Sequence, residues 1–180
     1  MLHSLLILND DSYVLFARYF DPAVSLDARK RFETQLARLS SQLPHATSTS
    51  THKASATASG GDQLLVCENQ FVVVRSVGEL RVILSGSREY DELVCEYWHS
   101  FATSDSTIYV FFVYLVAEIV GLVQAVLVTQ LEKKLTEASL FANYPRVVAA
   151  LDEMVQHGHL ETSDELAIEQ MSKFKPFPVK

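Results

Sequence analysis

The stretch Leu151-Asp152-Glu153-Met154-Val155-Gln156-His157-Gly158-His159-Leu160-Glu161-Thr162-Ser163-Asp164 decides the reading of this chain. It predicts a helix end, a glycine stop, a short bridge and a new helix start. Upstream, Ala142 to His157 is amphipathic through Val147, Val148, Leu151, Met154 and Val155, and Pro145 suits a first helical turn, where its missing N–H costs nothing. Gly158 fits the left-handed C′ position that ends many helices. Thr162 and Glu165 have capping-box spacing for a last helix running to about Met171. Lys173-Phe174-Lys175-Pro176-Phe177-Pro178 then leaves that helix in extended form, because each residue before a proline is steered away from helical backbone. His157 and His159 bracket the glycine without a third ligand nearby. They read as capping or surface histidines, His157 favourably placed at the negative end of a helix dipole.

The N-terminal half has a different period. His3 to Leu8 and Tyr13 to Phe20 are apolar, β-compatible runs around Asn9-Asp10-Asp11-Ser12, and read as a β-hairpin. Asp21-Pro22 breaks the second strand. Ser25 is a plausible N-cap for a helix from Leu26 to about Leu43, with Phe32, Leu36, Leu39 and Leu43 on one stripe. Gln63 to Cys67, Gln70 to Arg75 and Glu79 to Leu84 read as three antiparallel strands joined by tight turns at Glu68-Asn69 and Val77-Gly78. Five strands in two blocks with a helix between them need helical cover. Ser87 can N-cap a helix whose first turn carries Glu89, Asp91 and Glu92, suited to the positive dipole end, and Gly121 to Lys134 reads as a further helix. The expected class is therefore α/β (α+β), a five-stranded antiparallel sheet with helices on both faces.

Composition narrows the function. The chain has 180 residues, 48% hydrophobic and 21% charged, with a formal net charge of −7. That length fits one domain with a real core, and that charge argues against nucleic acid, whose phosphates call for a cationic face. Cys67 and Cys95 have no metal-site spacing and no disulfide framework, which suits a reducing compartment. The run Leu5 to Leu8 is too short for a signal peptide and lacks a basic flank. Residues 44–62 are rich in Ser, Thr, Ala and Gly; such a segment cannot bury enough surface to offset its ordering entropy and reads as a disordered loop. The acidic cluster Glu89, Asp91 and Glu92 comes with no nucleophile, phosphate-gripping glycine loop or metal motif, and no serine sits in a GxSxG elbow. No catalytic, cofactor-binding or metal-binding residue is assigned. Ile108 to Val128 is long enough to span a bilayer, but Glu118 would cost roughly 2.5–3.5 kcal/mol at its centre, so a buried helix is expected.

The signature Leu151-Asp152-Glu153-Met154-Val155, Gly158 and Glu161-Thr162, read with Leu5-Leu6-Ile7-Leu8-Asn9-Asp10-Asp11 and Gly86-Ser87-Arg88-Glu89-Tyr90-Asp91-Glu92-Leu93, resembles the small (σ/ζ-type) subunits of vesicle-coat adaptors. Those subunits share the longin-like fold: a hairpin, a helix, three strands and C-terminal helices. Glu89-Tyr90-Asp91-Glu92-Leu93 and Lys173-Phe174-Lys175-Pro176 are similar to motifs of the TSET/TPLATE small subunit, with the coatomer ζ subunit as runner-up. Against that pattern, Val94 to Leu115 is an insertion: excising it restores family-like spacing from Asp91 to Thr136. It opens with Val-Cys, encodable as GTN-TGY like a splice donor, and is read as a retained intron.

The resemblance implies a non-catalytic subunit held between a large α-solenoid subunit and a medium subunit of one coat complex. Such a protein is cytoplasmic, peripheral on plasma membrane or coated vesicles (at the Golgi for a ζ subunit), and serves clathrin-associated endocytosis. It has no cofactor, no nucleic-acid partner and no transmembrane span of its own. A longin-type GTPase-regulatory module is the alternative from another class. Phe174 and Phe177 in the basic tail, with Tyr90 and Leu93, are the expected partner contacts.

Overall fold

The computed structural model describes residues 2–41, 62–68, 70–86, 105–132 and 134–172. Strands β1 (Leu2–Asn9), β2 (Val14–Tyr19), β3 (Gln63–Cys67), β4 (Gln70–Val77) and β5 (Leu80–Gly86) form one antiparallel sheet in the order β2-β1-β5-β4-β3. Helix α1 (Leu26–Ser41) lies between β2 and β3 in sequence. After β5 come α2 (Asp105–Gln130), α3 (Glu137–Ala142) and α4 (Tyr144–Met154). A two-stranded ribbon, β6 (Val155–Gln156) with β7 (His159–Leu160), and helix α5 (Glu165–Ser172) complete the described chain.

The sheet is buried on both faces, which is why its centre reads as a continuous apolar run rather than an alternation. In β1, Leu5 and Ile7 point to the α2–α4–α5 side, while Leu6 and Leu8 point to α1. In β4 the split is Phe71 and Val73 against Val72 and Val74. Helix α1 supplies Phe32 and Leu36, with Leu39 packed beside them. The other face takes Val116, Ile119, Val120, Val123 and Leu127 of α2, Val147, Leu151 and Met154 of α4, and Ile168 of α5. Two-sided helical cover is thus the observed layering, as expected for a longin-like domain.

Each tight connection follows local chemistry. The β1–β2 turn closes with Asn9 N–H donating to the Tyr13 carbonyl at 3.0 Å and Ser12 in left-handed backbone (φ 64°). At β4–β5 the turn residues are Gly78 and Glu79, one residue later than the expected Val77-Gly78, since Val77 pairs with Leu80. Gly78 has φ 66°, and a Cβ there would lie 2.6 Å from the Leu135 carbonyl oxygen, so no side chain fits. Ser25 caps α1 as expected, its hydroxyl accepting from Ala28 N–H at 3.3 Å.

The C-terminal half departs from the sequence reading in four places. The helix expected over 121–134 begins at Asp105 and ends at Gln130, with Glu132 at φ 50° reversing the chain; eleven residues of the expected 94–115 insertion lie within it. The helix expected over Ala142–His157 begins two residues later, at Tyr144, after a separate short helix: Asn143 N–H and its side-chain amide both donate to the Ser139 carbonyl and close α3 at Ala142. It also stops at Met154, and Gly158 is not its C′ residue: His157 (φ 49°) and Gly158 (φ 82°) are the two central residues of the β6–β7 turn. Two successive positive φ angles match the right-handed twist of a two-residue hairpin. Finally Asp164, not Thr162, caps α5: its carboxylate accepts from Leu166 N–H at 3.0 Å, while the Thr162 hydroxyl accepts from Asp164 N–H at 3.2 Å.

Asp62 belongs to the core rather than to the expected 44–62 loop. It is 3% exposed and forms a bidentate ion pair with Arg75, whose Nη2 lies 2.6 Å from Oδ2. Arg75 also donates to the Gln124 Oε1 at 3.3 Å and the Ala117 carbonyl at 3.4 Å. Gly121 lets the guanidinium come this close, since a Cβ there would stand 3.2 Å from Nη1. One charged pair therefore pins the start of β3, the middle of β4 and α2 together. The rest of the 44–61 segment, Ser87 with the 89–92 acidic cluster, and the tail from Lys173 lie outside the described residues.

Candidate interaction surface

The signature stretch does two jobs at once. Leu151, Met154 and Val155 are buried, while Asp152 and Glu153 stay part-exposed between them. Helical spacing sends 151, 154 and 155 to the core and leaves 152 and 153 on the outer face of α4. Gly158 is fixed by a long-range contact: Leu2 N–H at the head of β1 donates to its carbonyl at 3.1 Å. Glu161 N–H bonds back to the Met154 carbonyl at 3.0 Å, closing the ribbon onto the helix end. The β6–β7 ribbon is therefore tied to the sheet.

Beside it, β2 ends at the edge of the sheet. Arg18 Nη2 reaches Asp152 Oδ1 at 3.0 Å, both side chains being substantially exposed. An exposed pair of this kind is worth at most about 1 kcal/mol. Its two side chains line an open pocket of about 350 Å³ between β2, the C-terminal turn of α4 and the ribbon. The pocket lining includes the buried Phe20 and Val155, the part-exposed Glu153 and the exposed Gln156 and His157.

A second surface is apolar. Tyr13, in the β1–β2 turn, is 70% exposed and Phe141, on α3, is 53% exposed. Asn9 Nδ2 donates to Glu137 Oε2 at 3.1 Å, joining the turn that carries Tyr13 to the helix that carries Phe141. Phe141 stacks on Tyr144, which meets the buried Phe16 edge-on. An aromatic ladder thus runs from the core to solvent, made of residue types enriched at protein interfaces.

On the α1 face, Tyr19 donates to Glu33 Oε1 at 3.0 Å and lies beneath the Arg29 guanidinium at 4.9 Å. Burial first, and the Glu33 carboxylate second, raise the Tyr19 hydroxyl above its ordinary range, with Arg29 opposing. Burial, then Glu68, likewise raises the Cys67 thiol, which argues against a reactive thiolate there.

Tyr90, Leu93, Phe174 and Phe177, the partner contacts expected from sequence, all lie outside the described residues. Sequence reading missed Arg18, Tyr13 and Phe141. Arg18 and Asp152 are far apart in the chain, and no local pattern pairs them. Tyr13 did carry a signal, being a large aromatic at the end of a polar turn. Among the described residues, no helix is long and apolar enough to cross a membrane, and the C-terminal half of α2 spends its apolar surface on the sheet.

No family profile matches the chain. It is similar end to end to "TSET complex member tstD" of Dictyostelium discoideum, with 26% identity over 177 residues, covering 97% of this chain and 94% of that protein. In fold it is similar to a chain of a "homology model of the full-length AP-3 complex in a stretched open conformation", with TM-score 0.59, 16% identity, and coverage of 96% and 91% of the two chains. The second likeness is one of fold. Together they bear out the resemblance to a small adaptor-complex subunit that the motifs suggested.

Proposed function

We propose that this chain, a small adaptor-type subunit by sequence likeness and fold, is a non-catalytic structural member of a heteromeric vesicle-coat complex of TSET type. The observation that carries the reading is the end-to-end likeness to a TSET member, which spans nearly all of both chains. The subunit packs against a large α-solenoid subunit, next to a medium subunit, and reaches membranes only through the complex. Its work is clathrin-associated endocytosis and traffic at the plasma membrane and coated vesicles. The coatomer ζ reading, with Golgi traffic, ranks second because Glu89-Tyr90-Asp91-Glu92-Leu93 and Lys173-Phe174-Lys175-Pro176 are closer to the TSET/TPLATE motifs.

Physical features support an obligate partner. Both sheet faces are already filled by this chain's own helices, so a partner must meet helix backs, turns and edges. Tyr13, Phe141 and Leu166 are large apolar side chains left exposed there, which suits an interface whose centre is apolar. Sedimentation of the purified full chain, alone and co-expressed with a candidate large solenoid subunit, tests this. Self-association or insolubility alone, converted to a 1:1 complex on co-expression, is the expected result. A soluble, cooperatively folded monomer that ignores the large subunit overturns obligate assembly.

A further inference from the structure

We infer that the pocket between β2, the end of α4 and the β6–β7 ribbon receives a lysine or arginine side chain from the partner polypeptide. This rests on the coat-subunit reading and names what one part of that interface recognises. The pocket brings the end of β2 against the α4–β6 junction, two segments distant in sequence. The Leu2–Gly158 and Glu161–Met154 backbone bonds hold the ribbon in place, so the ribbon side of the pocket is preformed.

Charge decides the class of ligand. Arg18 is already committed to Asp152 at 3.0 Å. Glu153 adds a second carboxylate that has no ion-pair or hydrogen-bond partner among the described residues, and the lysine- and arginine-type cations of the lining are limited to Arg18. The lining therefore carries one net negative charge, and the uncompensated group is an acceptor. An anionic ligand would have to displace Asp152 from Arg18 and face Glu153. A cation meets Glu153 directly and shares Asp152.

The mixed lining narrows it further. Buried Phe20 and Val155 share the pocket with Asp152 and Glu153. A long aliphatic stem ending in a charge suits such a mixture, since lysine and arginine lay their methylenes on apolar surface while the head stays polar. A metal ion would use the carboxylates but not the apolar residues, and a purely apolar anchor would desolvate Glu153 without pairing it.

The test uses the tagged full chain expressed in its native cytosol, comparing wild type with E153Q, E153K and R18Q. The readout is the amount of large adaptor subunit captured, identified by mass spectrometry, at two salt concentrations. E153Q is expected to lower capture by roughly threefold, the scale of one part-exposed ion pair. E153K lowers it further, and the wild-type advantage shrinks at high salt. R18Q frees Asp152, makes the pocket more negative and raises capture. Loss of capture with R18Q and a gain with E153Q would mean an anion site and overturn the proposal. Equal capture by all four chains overturns it while leaving the coat reading intact. If wild type captures no large subunit, both fail together.

Discussion

At the scale of single residues, the most constrained positions are those where the backbone leaves no room. Gly78 combines φ 66° with the Leu135 carbonyl oxygen at 2.6 Å from any added Cβ. Gly78→Ala should therefore cost at least about 1–2 kcal/mol, read as a lower urea midpoint of the full chain. An unchanged midpoint would mean that the β4–β5 turn and Leu135 do not meet. Tyr19 gives a pH prediction. Its folded-state ionisation lies above its ordinary value of 10.0, so above pH 10 the unfolded chain loses this proton while the folded chain keeps it. Stability from this group is complete below pH 10 and is lost as pH rises through the folded value. Tyr19→Phe should flatten the alkaline fall of the unfolding midpoint; an identical slope in both chains would contradict the Tyr19–Glu33 contact.

Among secondary-structure elements, the Asp62–Arg75 pair is the main electrostatic tie. Removing one partner of a buried pair leaves the other uncompensated, so Asp62→Ala should destabilise by roughly 3–5 kcal/mol. Replacing both groups by apolar ones of similar volume should cost much less, and denaturant curves of the single and double variants separate the two cases. Equal losses would place the pair at the surface. On the opposite face, Leu36→Ala should cost about 2–5 kcal/mol, because Leu36 is the most buried apolar side chain that α1 packs on the sheet. The strands were legible because each is a short β-branched or aliphatic run ended by turn residues. The α1 stripe was legible from Phe32, Leu36 and Leu39. What failed was where α4 stops: Val155 continues the helical spacing of Leu151, yet serves as the first residue of a ribbon. That ribbon needs left-handed backbone at His157 as well as Gly158, and a histidine gives no local sign of it. Asp62–Arg75 was invisible for another reason, since a serine-rich stretch before Asp62 hides a residue whose partner lies across a strand pair.

For the whole molecule, one sheet clothed on both sides explains why the chain reads as a structural part. Its apolar capacity goes into two cores, α1 on one side and α2, α4 and α5 on the other. Among the described residues, the exposed surface includes the aromatic side chains of Tyr13 and Phe141 and the charged pocket beside β2. The candidate site was legible in the sequence only in part. Leu151 to Thr162 marked the right region, because apolar Leu151, Met154 and Val155 flank polar Asp152 and Glu153 at the end of a helix before a glycine turn. The side chains that complete the pocket come from β2 and needed the fold to bring them there. Whether Val94 to Leu115 is a retained intron is open to a direct check: transcript sequencing should find a major message without it, and a major message that includes it would sink that reading. The account as a whole rests on partnership with a large solenoid subunit. The measurement that tests it most directly is affinity purification of the tagged full chain from its native cytosol, with cross-linking and mass spectrometry of what elutes. Large solenoid and medium subunits of TSET type, cross-linked to this chain in fixed proportion, are the predicted result; recovery of the chain alone, or with a small GTPase and no solenoid subunit, would contradict it.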